Sequence, residues 1–263
     1  MIPKVAVLVA DSHGETFATI KRAIHTKIWK FTESHEIDVF YMIGKIPNAS
    51  EVKRAKISDD LRYTRFRPAQ RAIDYGQLFG NKFKLPKVEH NSGTLHVDIP
   101  EGLRYLGVKY LSSLRFLHEQ NYDIVYKTTL SSIVNPDKFV NFTSSLSLEE
   151  PLYAGTKITS PKYDFVSGAN LFLNRKSIES ILNKKIRWNH ADLDDVAVAK
   201  MLKNVEIISL PSLNISSIEE ARLVTDAQVA DTMHYRCRTT GPMRSDVEVM
   251  KVLYTRISGE QWN

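Results

Sequence analysis

The chain is predicted to be an α/β protein built on a mostly parallel sheet. Two stretches carry that expectation. Lys4–Ala10 (KVAVLVA) is an apolar run of strand length, followed by the turn Asp11-Ser12-His13-Gly14 and by Phe17, Ile20, Ile24 and Ile28 at helical spacings of three and four. Ile37–Gly44 (IDVFYMIG) is a second strand, stopped by glycine. A strand–helix–strand opening makes the two strands parallel and places ligands at their carboxyl ends, where Asp11, Ser12 and His13 stand.

Residues 45–95 break the alternation. They are polar and basic, are punctuated by Pro47, Pro68 and Pro86, and read as a variable region with short helices. Within them Arg62–Ala72 (RYTRFRPAQRA) interleaves aromatic and basic side chains, as single-stranded nucleic-acid sites do. No nucleic-acid-binding motif accompanies it, so a solvated face is the simpler reading and no nucleic-acid partner is expected. From Gly102 to His118 an apolar helix face recurs through Leu103, Leu106, Tyr110, Leu111, Leu114 and Leu117. Asp123–Lys127 (DIVYK) is the next strand, running into KTTLSSIVN (127–135), and Asn135-Pro136-Asp137 opens a helix. Phe165–Asn174 suggests two short strands around Ser167-Gly168-Ala169-Asn170, with a helix from near Lys176. A helix over Asp194–Leu202 starts acidic, which suits the positive end of its dipole. The strand VEIISLP, the extended stretch His234–Arg238 (HYRCR) and a helix near Ser245–Tyr254 complete the chain. Neither repeats nor a boundary appear, so residues 1–263 are expected to form one domain with a C-terminal tail over 231–263.

Of 263 residues, 36 are Lys or Arg and 30 Asp or Glu, a formal charge of +6 that favours anionic partners without choosing among them. Cys237 is the only cysteine, which excludes an intramolecular disulfide and a cysteine zinc cluster. The N-terminal apolar run is too short to span a bilayer and no other segment approaches that length. A soluble, cytoplasmic protein is expected, in which the sequons at Asn48, Asn141 and Asn214 would go unused.

Four segments, in order, resemble the inverting β-1,3-glycosyltransferases, the family that includes the Fringe enzymes. KTTLSSIVN matches the outer frame of the family's KTDDDVFVN. Asp98–Tyr110 (DIPEGLRYLGVKY) keeps Asp98, an acid at Glu101, Leu106 and Lys109 in the frame of DFxDSYxNLTxKT. SPKYDFVSGANLFLNRK is similar to YPPYxSGxGYxLSRD, and LDDVAVAKML (Leu193–Leu202) to the family's EDV helix start. KRAIHTKIW and VFYMIG are looser likenesses, the spacing to Trp29 slipping by one. Together these cover most of residues 4–203. The resemblance implies a GT-A αβα sandwich with a Rossmann-like nucleotide-binding half. It also implies a nucleotide-sugar donor, a UDP-sugar first among them, and transfer to the hydroxyl of a glycan acceptor with inversion.

Such transfer needs a departing diphosphate neutralised and a base for the acceptor hydroxyl. A metal held by Asp-x-Asp normally does the first, but Thr129, Leu130 and Ser131 stand there. Two hydroxyls are too little for hard divalent cations, so no cofactor is expected to be required, with Mn²⁺ or Mg²⁺ weakly held at most and His234 the ligand if any. His234, Arg236 and Arg238 share one face if HYRCR is extended, and arginine can neutralise phosphate without metal. The alternative is surface arginines on a terminal segment. Asp195 matches the second acid of EDV and is the expected base, with Asp194 and Asp192 as neighbours and helix capping as the rival role. Gly168 and Asn170 would wall the donor sugar, or merely form a tight turn. Asp98 and Lys109 would stand on the donor side. A catalytically inactive nucleotide- or glycan-binding protein is the competing class. Without a membrane anchor, a bacterial or viral source fits.

Overall fold

The computed structural model describes residues 2–53, 85–102, 105–161, 163–189, 192–239 and 244–262; the basic segment Arg62–Ala72 lies outside them. In chain order the elements are β1 (Val5–Ala10), α1 (Glu15–Lys27), β2 (Ile37–Lys45), β3 (Val88–Asn91), β4 (Thr94–Pro100), α2 (Leu106–Glu119), β5 (Ile124–Thr129), β6 (Ser132–Val134), α3 (Pro136–Ser145), β7 (Tyr153–Thr159) and β8 (Asp164–Asn174). They continue with α4 (Arg175–Asn183), α5 (Asp194–Met201), β9 (Ile207–Ser209), β10 (Ser212–Asn214), α6 (Ile218–Leu223), α7 (Asp226–Asp231), β11 (His234–Arg236) and α8 (Asp246–Ser258).

Eight strands form one sheet in the order β3-β4-β2-β1-β5-β8-β7-β9. β1 lies between β2 and β5, parallel to both, with Val5 opposite Ile37 on one side and Ile124 on the other. Alternation along β1 and β5 sorts their side chains into two cores. Val5, Val7, Val9, Ile124 and Tyr126 join Ile20, Ile24, Trp29, Phe139 and Leu253 on one face. Ala6, Leu8 and Val125 join Leu111, Leu114, Leu171 and Val198 on the other. Helices therefore cover both faces, and the αβα sandwich expected of a GT-A protein is the fold observed. A second sheet, β10-β11-β6, adds the tail to the end of the first.

Three readings need correction. Residues 164–174 form one continuous strand, not two: Gly168 and Asn170 lie inside β8, where β5 pairs it antiparallel from Thr128–Asn170 to Ile124–Asn174. The variable region contains a hairpin, β3–β4, whose Ser92 and Gly93 both take positive φ. That is the backbone a two-residue hairpin loop requires, and Asn91-Ser92-Gly93 was its signal in the sequence. The helix expected from Gly102 begins at Leu106. Among the described residues no helix is long and apolar enough to cross a membrane.

Candidate active site

β1, β2, β4 and β5 run parallel, so their carboxyl ends line one edge of the sheet. At the end of β1, Asp11 is buried, takes the Ser12 N–H on Oδ1 at 2.7 Å and pairs with Lys21 at 2.9 Å. His13 is exposed, its Nε2 2.8 Å from the Gly44 carbonyl. Lys109 of α2 is buried and points to the same edge, 3.5 Å from the Asp11 carbonyl. Its charge is already met: Glu101 receives it through both oxygens, at 2.6 and 2.8 Å. Glu101 also accepts the Gly44 N–H at 2.6 Å, so the pair ties α2 to the end of β2. Asp98 stands apart, exposed two strands from β1, with its carboxylate 3.6 Å from Lys45.

The other half of the site is built where β5, β8 and α5 meet. Lys127 is buried inside β5, its Nζ 2.6 Å from Asp194 Oδ2 and donating to the Gly168 carbonyl at 2.7 Å. A buried ammonium must be paired, and this one is paired twice. A Cβ at 168 would lie 2.5 Å from Lys127 Nζ, so a larger residue there would have to push this ammonium from its place. The Gly168 N–H donates to Asp195 Oδ2 at 3.2 Å, while Oδ1 takes the Val196 N–H at 2.8 Å. Burial first, and the Asp194 charge second, push the Asp195 carboxyl above the ordinary range, against the opposing pull of Lys127 and the two N–H groups. Adjacent acids thus have separate tasks: Asp194 balances Lys127, and Asp195 keeps a lone pair on each oxygen for another donor. Lys127 carried no role in the sequence reading. Its signal was a lysine set in a β-branched run, which must find an acid when the strand is buried. Asp192 pairs with Lys200 at 2.6 Å and stays outside this cluster.

The tail closes the site from the other side. β11 pairs antiparallel with β6, His234 opposite Val134 and Arg236 opposite Ser132, and the Cys237 N–H donates to the Ser131 carbonyl at 2.6 Å. The first three residues of HYRCR are thus a strand, zipped directly onto the segment that follows Thr129. His234 is fully buried; its Nδ1 meets Ser212 Oγ at 2.7 Å, and the ring also meets the Ala169 backbone. Burial, reinforced by Arg236, pushes its pKa down to about 3. Arg236 is held below its ordinary value by burial and then by the like charges of Arg238 and Arg244, with Asp195 acting the other way. Neither Arg236 nor Arg238 has an ion pair among the described residues. Two buried guanidinium nitrogens here, Arg236 Nε and Arg244 Nε, have no hydrogen-bond partner among the described residues. Such atoms are rare in native interiors, and Arg236 lies close enough to Arg244 to feel its charge, so the two can take an anionic ligand together.

Asn170 is a correction within the site. It is fully buried, its Nδ2 on Thr156 Oγ1 at 2.9 Å, so it supports β7 and β8 and does not wall a sugar.

Thr129, Leu130 and Ser131 stand at the end of β5 and just beyond it. Thr129 Oγ1 lies 3.1 Å from Ser132 Oγ, Leu130 is buried and apolar, and Ser131 Oγ donates to Asp246 at 2.7 Å. Asp246 is itself saturated, taking the Thr239 N–H at 3.0 Å, the Thr239 hydroxyl at 2.7 Å and Arg244 besides. Hard divalent cations ask for free carboxylate oxygens, and this donor set does not fit one. Among the described residues no cluster of three His, Cys, Asp or Glu side chains could hold a metal.

No family model and no curated protein matches the chain. Solved structures similar to it include the galactosyltransferase LgtC in complex with donor and acceptor sugar analogs, at 12% identity and TM-score 0.47, covering 97% of this chain and 95% of that one. A glycosyltransferase involved in glycosylation of the major capsid of PBCV-1 is similar at 12% identity and TM-score 0.46, over 94% and 97% of the two chains. The glycosyltransferase GlyE of Streptococcus pneumoniae TIGR4 is similar at 15% identity and TM-score 0.44, over 99% of this chain and 61% of that one.

Proposed function

We propose that the chain is a cytoplasmic glycosyltransferase that moves a sugar from a nucleotide-sugar donor, a UDP-sugar first, to the hydroxyl of a glycan acceptor with inversion. The observation that carries this reading is the meeting of two chemistries at one strand end. Arg236, on the strand paired with β6 just beyond the end of β5, and its neighbour Arg238 have no carboxylate ion pair among the described residues, and Asp195 lies within the field of Arg236. Asp195 takes the acceptor proton as the acceptor oxygen bonds to the anomeric carbon. The bond from that carbon to the diphosphate breaks, and the nucleoside diphosphate leaves with the electron pair, its charge met by the arginines. Asp11, Ser12 and His13, at the end of β1, are placed for the nucleoside. No step is routed through a metal.

Calorimetry of the full chain with UDP and GDP, with and without Mg²⁺, tests the donor side, and release of nucleoside diphosphate from a panel of nucleotide sugars tests turnover. Asp195→Asn should lower turnover by roughly 10²–10⁴-fold with donor binding unchanged. Wild-type turnover in that variant removes Asp195 from the mechanism. Nucleotide binding without turnover on any donor–acceptor pair would favour the inactive binding protein.

A further inference from the structure

The tail supplies a carboxylate and a guanidinium just beyond the end of β5, and their arrangement suggests more than a tether. Asp246 is fully buried at the start of α8, 115 residues along the chain from Ser131, yet its Oδ2 receives the Ser131 hydroxyl. Arg244 pairs with the same oxygen, and its Nη2 lies 2.5 Å from Ser131 Oγ. The acid at this strand end comes from the tail, and the cation it holds is a side chain.

Geometry leaves Arg244 able to receive a ligand. Its described partners all sit on Nη2, and Nε has none. Five N–H donors in a planar fork thus keep most of their capacity. The Phe17 ring lies 5.7 Å from its guanidinium carbon, which places Arg244 between the first turn of α1 and the end of β5. About a quarter of the side chain stays accessible, 24%, so the fork is not sealed in the core. Arg236 stands close enough to Arg244, and to Arg238, for each to repel it. Like charges held together at such a cost are relieved by an anion, and a planar fork suits the adjacent oxygens of a phosphate.

We propose that Arg244, clamped by Asp246 and Ser131, stands in for a divalent cation at this strand end and receives the diphosphate of the nucleotide donor. The inference rests on the glycosyl-transfer reading and adds to it the group that does the metal's work. Asp246 is then a positioning residue: saturated by Thr239, Ser131 and Arg244, it aims the guanidinium and touches no substrate.

The test is calorimetry on the full chain in EDTA, with UDP and GDP against UMP and GMP. Wild type should bind a diphosphate more tightly than its monophosphate without added metal. Arg244→Gln should lose about tenfold or more in diphosphate affinity and less than about threefold for the monophosphate, with Arg244→Lys between the two. Should Arg244→Gln melt well below wild type, Arg244→Lys decides, because it keeps the ion pair and loses the fork. A wild-type preference for diphosphate in both variants overturns the assignment, as does diphosphate binding that requires Mn²⁺. If Arg236→Gln loses the preference and Arg244→Gln does not, glycosyl transfer stands and Arg244 falls. If neither diphosphate binds with or without metal, the glycosyl-transfer reading fails before this one is reached.

Discussion

Lys127 shows how one buried charge organises a site. Its ammonium joins Asp194, the Gly168 carbonyl and, through the Gly168 N–H, Asp195. Removing it leaves Asp194 as an unpaired buried acid, so Lys127→Met should destabilise the fold by about 3–5 kcal/mol in urea unfolding. Neutralising the acid as well, in Lys127→Met with Asp194→Asn, should restore part of that loss; an equal or larger loss would show that the two do not form a balanced pair. For Asp195 the sign concerns activity. A base must be ionised, and burial raises its carboxyl above the ordinary range. The acid limb of the rate profile should therefore lie above the pH at which a free aspartate ionises, and a limb at or below it would argue against Asp195.

At the scale of elements, the site depends on two strands held closely. β7 and β8 shift register between Gly155 and Lys157, and Gly155 takes φ +141° with its missing Cβ only 1.8 Å from the Asn170 carbonyl. No L side chain fits that conformation or that space. Gly155→Ala should cost more than about 3 kcal/mol, read as a lowered melting temperature, since the clash is with backbone that cannot rotate away. An unchanged melting temperature would mean that β8 does not run where it is described. Because β8 also carries Gly168, donor binding should weaken in the same variant.

For the whole molecule, acid stability follows from groups that fold into the wrong or the right charge state. His234 is buried neutral with its pKa near 3, whereas in the unfolded chain it protonates near 6.5. Between those values the unfolded state binds more protons, so this group's contribution is present above about 6.5 and is lost as pH falls toward 3, at most about 1.4 kcal/mol per pH unit. Burial pushes Asp246 upward, but hydrogen bonds from Arg244, Ser131 and Thr239 outweigh it and leave its pKa lowered. Its contribution, present above the unfolded carboxylate value, goes as pH falls further. Asp195, raised, acts in the opposite sense: it favours the folded state at low pH and loses that contribution as pH rises through its folded value. Urea unfolding at pH 7, 5.5 and 4.5 should show falling stability, and His234→Gln should flatten the decline. A stability that rises on acidification would mean that His234 is charged in the fold.

Much of this was legible in the chain itself. Apolar runs and three-to-four spacings located β1, α1, β2, β5 and α2, because periodicity is a local property that burial merely reads out. The alternation of HYRCR and the acidic start of α5 were equally local, and they brought His234, Arg236 and Asp195 into consideration. What tertiary structure alone decided was partnership. Lys109 meets Glu101; Lys127 meets Asp194; Asn170 is sealed between strands; Ser131 meets Asp246 across 115 residues. A charged side chain carries no mark in the sequence of whether its counter-charge is an acid, a metal or a substrate. That choice is made by desolvation, which penalises every unpaired charge and acts only once distant segments have been packed against one another.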